Sequence, residues 1–185
     1  MKRINKGSRQ SPEARAPRAN KPPSLAEDLV YLLAKMGVVA IVIFALFAFV
    51  FGLTPVTDAG MEPAFNPGDL VMYYRLDKDY SQSDAIVVEA DGEKQIRRVV
   101  AKGGDTVDFT DQGLVINGAL QQEPDTATKT LPYEEGVSYP ITLAEDEVFV
   151  LGDARDGASD SRAYGPVKLS DTCGKVMALL RRRQF

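Results

Sequence analysis

The sequence predicts a mainly β fold, an antiparallel β-sheet domain standing behind a single N-terminal transmembrane helix. Three observations predict it. From Met36 to Leu53 there are 18 consecutive residues without a charge. Beyond Leu53 the apolar residues fall into short extended runs and lose the helical period. Turn signals rich in Gly, Pro, Asn and Asp separate those runs.

The apolar run comes first in the chain. At ~1.5 Å rise per residue its 18 residues come close to the ~30 Å hydrocarbon core of a bilayer. Upstream, Pro22-Pro23 followed by Ser24-x-x-Glu27 reads as a capping box that opens a helix. Tyr31 and Lys35 then fall at the cytoplasmic interface. The expected division is a disordered basic tail over 1–23, a membrane-anchor helix over 24–53 and an outer β domain over 54–185. A cleaved signal peptide is the alternative, but its apolar stretch should be ~7–15 residues and end in an Ala-x-Ala-like site. No such site follows Leu53.

Charge is split in the same place. Residues 1–35 carry eight Lys/Arg and three Asp/Glu, a net of +5, and the remainder carries 14 against 23, a net of −9. The basic start predicts a single-pass protein of the cell membrane, N-terminus cytoplasmic and C-terminal domain extracellular. The acidic domain argues against nucleic acid, whose phosphates need clustered Lys and Arg. One cysteine, Cys173, excludes an internal disulfide, and the lack of any histidine excludes His-based triads. No metal or cofactor is expected. Serine–lysine chemistry and paired carboxylates remain as hydrolytic options.

Strands are expected at Leu70–Tyr74, Ala85–Glu89, Gln95–Ala101, Thr106–Phe109, Leu114–Ile116, Glu147–Leu151 and Lys175–Leu180. Asn117-Gly118 is the strongest hairpin signal, because both positions tolerate positive φ. Pro67-Gly68-Asp69, Asp91-Gly92 and Gly103-Gly104-Asp105 mark further turns. Residues 121–139 show no pattern and read as an extended insertion.

Four boxes occur in order behind the anchor. They are Gly60-Met61-Glu62-Pro63, Gly68-Asp69-Leu70-Val71, Ile96-Arg97-Arg98-Val99 running on to Gly104-Asp105, and Gly152-Asp153-Ala154-Arg155 running on to Asp160-Ser161-Arg162. Together they resemble the boxes of type I signal peptidases, the serine–lysine peptidases that cut secretory signal peptides. The resemblance implies a signal peptidase I-like β domain. It implies structural roles for Gly68, Asp69, Arg98, Gly152, Asp153, Asp160, Ser161 and Arg162, with Asp160 and Arg162 paired.

The departures fall on the positions that carry chemistry. Gly60 stands at the nucleophile position and Arg97 at that of the general base lysine. Ala158 stands where a serine orients the lysine, and Asp58 where some relatives help cradle the oxyanion. A guanidinium keeps its proton in proteins, so Arg97 cannot be a base, and an ionised Asp58 would oppose developing negative charge. Thr57 and Lys102 are the rescue candidates, each offset from the family's geometry. Asp153, Asp156 and Asp160 offer a carboxylate alternative.

The resemblance further implies binding of an extended peptide by strand addition. The expected edge is the stretch before Gly60 with the strand Val71–Tyr74, giving Met61, Pro63, Val71, Met72, Tyr73 and Tyr74 as contact residues. Arg97 is expected to pair with Asp58 or with a partner's carboxylate. Degenerate relatives of this kind in Gram-positive pilus loci imply an accessory or chaperone-like factor for exported proteins, with pilin subunits and a sortase as partners beside the lipid bilayer. An active signal peptidase with a non-standard nucleophile is the enzyme alternative, and an inert structural protein is a third.

Overall fold

The computed structural model describes residues 24–90, 92–122 and 129–181. The expected tail over 1–23 and Asp91 of the expected Asp91-Gly92 turn lie outside them. Two compact units divide between Ala40 and Ile41.

Helix α1 spans Leu25–Ala45 and continues as a π-type segment over Leu46–Val50. The expected capping box opens it: Glu27 N–H donates to Ser24 Oγ at 3.3 Å, and Ser24 N–H to Glu27 Oε2 at 2.9 Å. The helical run of 26 residues is long and apolar enough to cross a membrane. None of α1's side chains is buried in protein, and Lys35 lies over the Tyr31 ring at 4.3 Å, a one-turn pair.

The helical run stops at Val50, three residues before the expected Leu53, and strand β1 takes Phe51–Pro55. No polar residue separates helix from strand, so hydropathy carries straight across the boundary. The other strands are β2 (Leu70–Tyr74), β3 (Ala85–Ala90), β4 (Glu93–Lys102), β5 (Thr106–Thr110), β6 (Gly113–Ile116), β7 (Ala119–Leu120), β8 (Ile141–Thr142), β9 (Glu147–Leu151), β10 (Val167–Lys168) and β11 (Thr172–Leu180). The seven expected strands all form. The four missed ones are β1 and three two-residue strands too short for any period to register.

All pairings are antiparallel. One sheet has the order β1-β2-β11-β3-β4-β9-β10, and a second has β7-β6-β5-β8. The Asn117-Gly118 turn joins β6 to β7 with φ of 52° and 79°, as its sequence requires.

The core explains the strand composition. Ile86, Val87 and Val88 on β3 are all fully buried, because both faces of the large sheet are covered. Val87 joins Val56, Met61, Phe65, Val71, Tyr73 and Ile96 on one side. Ile86 and Val88 pack with Tyr80, Val99, Val148, Val150 and Val167 on the other. A third cluster, with Phe149, Leu151, Val107 and Leu114, joins the two sheets.

Candidate functional site

Gly60 lies in the loop between β1 and β2, which turns over the cluster holding Met61 and Phe65. Backbone bonds close the loop: Val56 N–H to Asp69 O at 2.8 Å, and Gly68 N–H to Val56 O at 2.9 Å. Gly68, with φ of 92°, takes the left-handed position in the turn Asn66–Asp69. Buried Asp69 accepts from Asn66 N–H at 3.0 Å through its Oδ2. The Gly-Asp box thus holds the loop in shape.

At the centre of the loop the Gly60 N–H donates to Asp58 Oδ1 at 2.7 Å. That oxygen also accepts from Arg97 Nη1 at 3.1 Å, and Oδ2 from the same nitrogen at 3.3 Å. Arg97 projects from β4 with its side chain 2% exposed, against 37% for Asp58. Arg97 Nε donates to Ser159 O at 2.8 Å, and Nη1 also donates to Ile96 O at 2.6 Å. A Cβ on Gly60 would lie 2.6 Å from Asp58 Oδ1 and 3.2 Å from Arg97 Nη1. The ion pair therefore occupies the space that a side chain at position 60 would need. Of the two pairings expected for Arg97, the internal one forms.

The last box meets this loop from the other side. Ala154 N–H donates to Gly60 O at 3.0 Å. A Cβ on Gly152 would stand 2.5 Å from both Gly60 O and Ala158 Cβ, so only glycine allows this approach. Ala158 is buried, whereas Ser159 is exposed and its carbonyl accepts the Arg97 Nε–H. The four departures Gly60, Arg97, Ala158 and Asp58 thus come together in space.

Buried Asp160 accepts from Gly152 N–H at 3.0 Å, and from Arg162 through N–H, Nε and Nη2 at 3.1, 3.0 and 2.8 Å. Burial alone would lower the Arg162 pKa, but its bonds and charge contact with Asp160 outweigh that and raise it. Ser161 Oγ accepts from Val150 N–H at 3.0 Å. Arg98 grips Asp153 through Nε and Nη2 at 2.7 and 2.5 Å. Asp153 and Asp160 are thus each engaged by a different arginine, and Asp156 is exposed. Thr57 and Lys102 are exposed, and Lys102 is the last residue of β4.

The Val71–Tyr74 part of the expected peptide edge needs correction, whereas the stretch before Gly60 does contain the sheet-edge strand β1. Strand β2 is paired on both sides, with β1 and β11, so it offers no free edge. Met61, Val71 and Tyr73 are core residues exposed by 1% or less. Met72 and Tyr74 are half-buried, and Pro63 is exposed. Strand order is a tertiary property, so the unrecognised β1 took the edge position from β2.

Two participants escaped sequence reasoning. Tyr133 donates its hydroxyl to Ala158 O at 2.6 Å, and its ring lies 4.3 Å under the Arg162 guanidinium. It sits in the patternless 121–139 stretch, of which 123–128 lie outside the described residues. Ser159 acts through a backbone carbonyl, which leaves no mark on residue identity.

Fold and site together define a signal peptidase-type β domain with a glycine, an aspartate and a buried arginine meeting at the centre of the β1–β2 loop. The chain belongs to the signal peptidase family, peptidase S26, whose profile matches residues 29–180. It is 28% identical over 139 residues to signal peptidase I of Bacillus amyloliquefaciens, covering 70% of this chain and 75% of the relative. Signal peptidase I of Bacillus caldolyticus is 30% identical over 149 residues, with 73% and 82% covered. The chloroplastic thylakoidal processing peptidase 1 of Arabidopsis thaliana is 27% identical over 136 residues, with 65% and 39% covered. A crystal structure of a signal peptidase I from Enterococcus faecalis V583 superimposes with a TM-score of 0.45 at 25% identity, over 54% of this chain and 97% of that one.

Proposed function

We propose that the chain is a non-cleaving member of the signal peptidase family, anchored by α1 with its basic N-terminus cytoplasmic and its β domain outside the cell. It acts as an accessory, chaperone-like factor that docks exported proteins, with pilin subunits on their way to a sortase as the intended clients. One observation carries the reading. The Asp58–Arg97 pair fills the place of a nucleophile's side chain and takes up the Gly60 N–H. A serine protease site needs a hydroxyl at that place, a base able to lose a proton, and donors left open for the oxyanion. Here a glycine, an arginine and a carboxylate stand in for them. Losing a nucleophile or base in a comparable enzyme costs about 10⁶-fold in turnover.

The framework around this centre is kept. The Gly68-Asp69 turn, the Asp160–Arg162 pair and the Gly152 approach hold the two loops together. Retained architecture without a dyad favours binding over cutting. The active-peptidase alternative draws support from the relatives, several of which are described as signal peptidase I.

The test is to incubate the full chain in detergent micelles with a secretory precursor and look for products by mass spectrometry. The precursor should remain intact, and a product at its signal-peptide junction would overturn the non-cleaving reading. Deleting the gene should weaken the polymer ladder of pilins in cell-wall extracts. An unchanged ladder would remove the pilin assignment.

A further inference from the structure

The Asp58 carboxylate is held as a ligand would be. Two donors from separate segments converge on one oxygen, the Gly60 N–H at 2.7 Å and Arg97 Nη1 at 3.1 Å. The Arg97 head does not depend on Asp58 for its position, because Ser159 O and Ile96 O hold it independently at 2.8 and 2.6 Å. Asp58 itself is 37% exposed while Arg97 is 2% exposed, so the carboxylate covers the cation from the solvent side. Asp58 lies two residues from Gly60, within reach of a side-chain rotation that would release it to water. Without a Cβ, Gly60 leaves room for an anion at its own N–H, since a Cβ there would stand 2.6 Å from the oxygen.

We propose that the Gly60 N–H and the Arg97 guanidinium form a receptor for a peptide carboxylate, foremost the C-terminal carboxylate of an extended chain, with Asp58 as the resident competitor that a client displaces. Charge-assisted bonds of this kind are the strong ones, and a buried arginine favours an anion that brings its own partners over bulk water. A carboxylate tethered two residues away competes at an effective concentration of order millimolar. A client must therefore add backbone contacts along the loop, so the receptor selects a carboxylate attached to a peptide over a free small acid. The inference rests on the non-cleaving reading, since an ordinary peptidase releases the carboxylate it makes.

The experiment uses the full chain in detergent micelles and a fluorescein-labelled Ala-Val-Ala-Ala peptide in three forms. These are the free acid, the C-terminal amide, and an amide with one internal Glu. Binding is followed by anisotropy, and peptide integrity by mass spectrometry. The acid should bind about tenfold more tightly than the plain amide. Asp58→Asn should widen that gap several-fold by removing the competing charge, and Arg97→Gln should close it. An internal-Glu amide that matches the acid supports the receptor and assigns it to side-chain carboxylates. Acid and amide bound equally by the unaltered chain overturn the receptor, with no variant needed. Absence of binding to both the unaltered chain and Asp58→Asn overturns it as well. A cut peptide instead overturns the non-cleaving reading, so the two failures are distinct.

Discussion

At the scale of the residue, Gly60, Asp58 and Arg97 form one interlocked unit. Arginine at position 97 brings a permanent charge into a buried place, Asp58 neutralises it, and glycine at 60 makes room for Asp58. Placing a serine at 60 thus does more than add a hydroxyl. Gly60→Ser should push the Asp58 carboxylate off its donors and cost about 1–3 kcal/mol, less than a fully buried pair because Asp58 is partly solvated. In an Asp58→Ser background the same change should cost at least about 1 kcal/mol less, the coupling expected of groups in contact. Thermal unfolding of the four proteins in micelles measures this. Equal costs in both backgrounds would show that the clash is not the cause. On the proposed non-cleaving reading, an attempt to install hydrolysis must accordingly change Asp58 together with Gly60, Arg97 and Ala158.

At the scale of the element, two packing arrangements decide how the strands sit. Gly52 on β1 faces Tyr73 on β2, and the Tyr73 ring lies where a Cβ on Gly52 would stand. The ring is fully buried there, the arrangement by which an aromatic covers a glycine across a strand pair. Gly52→Val should displace the ring and destabilise the domain by about 1–3 kcal/mol, the usual cost of overpacking, read as a lowered melting temperature. An unchanged melt would mean that β1 is not seated on Tyr73. Between the sheets, the Tyr139 ring meets Phe109 edge-on at 4.5 Å and Phe149 at 6.3 Å. Its hydroxyl is buried without a hydrogen-bond partner among the described residues, and burial pushes its pKa up to about 12. The folded state then keeps a proton that the unfolded chain loses near pH 10, so stability is full below about pH 10 and falls as pH rises toward 12. Tyr139→Phe should flatten that alkaline loss and leave neutral stability equal or about 1 kcal/mol higher. A steeper alkaline loss in the variant would contradict the assignment.

At the scale of the whole molecule, the legible parts and the illegible ones divide along physical lines. The helix start was legible because Ser24 and Glu27 act on each other's backbone within one turn. The Asn117-Gly118 turn was legible for the same local reason. The Asp160–Arg162 pair followed from the family's box and proved buried and joined by three hydrogen bonds. The end of the helix was not legible, since Phe51 to Leu53 are as apolar as the span they follow and become strand only by pairing with Met72 to Tyr74. Missing β1 in turn made β2 look like an edge and put Val71 and Tyr73 on a surface when they lie in the core.

By itself the sequence determined which residue types carry the four boxes. Residue identity alone says that a glycine has no nucleophile, an arginine yields no proton and an alanine orients nothing. It also determined the apolar anchor, the β character and the charge split, because these depend on local order and composition. Only the tertiary structure decided which of these groups meet and how they pair. The Gly60 N–H, the Asp58 carboxylate, the Arg97 guanidinium and the Ser159 carbonyl come from three separate segments. Their convergence depends on strand order and loop closure, which are set by side chains far apart in the chain.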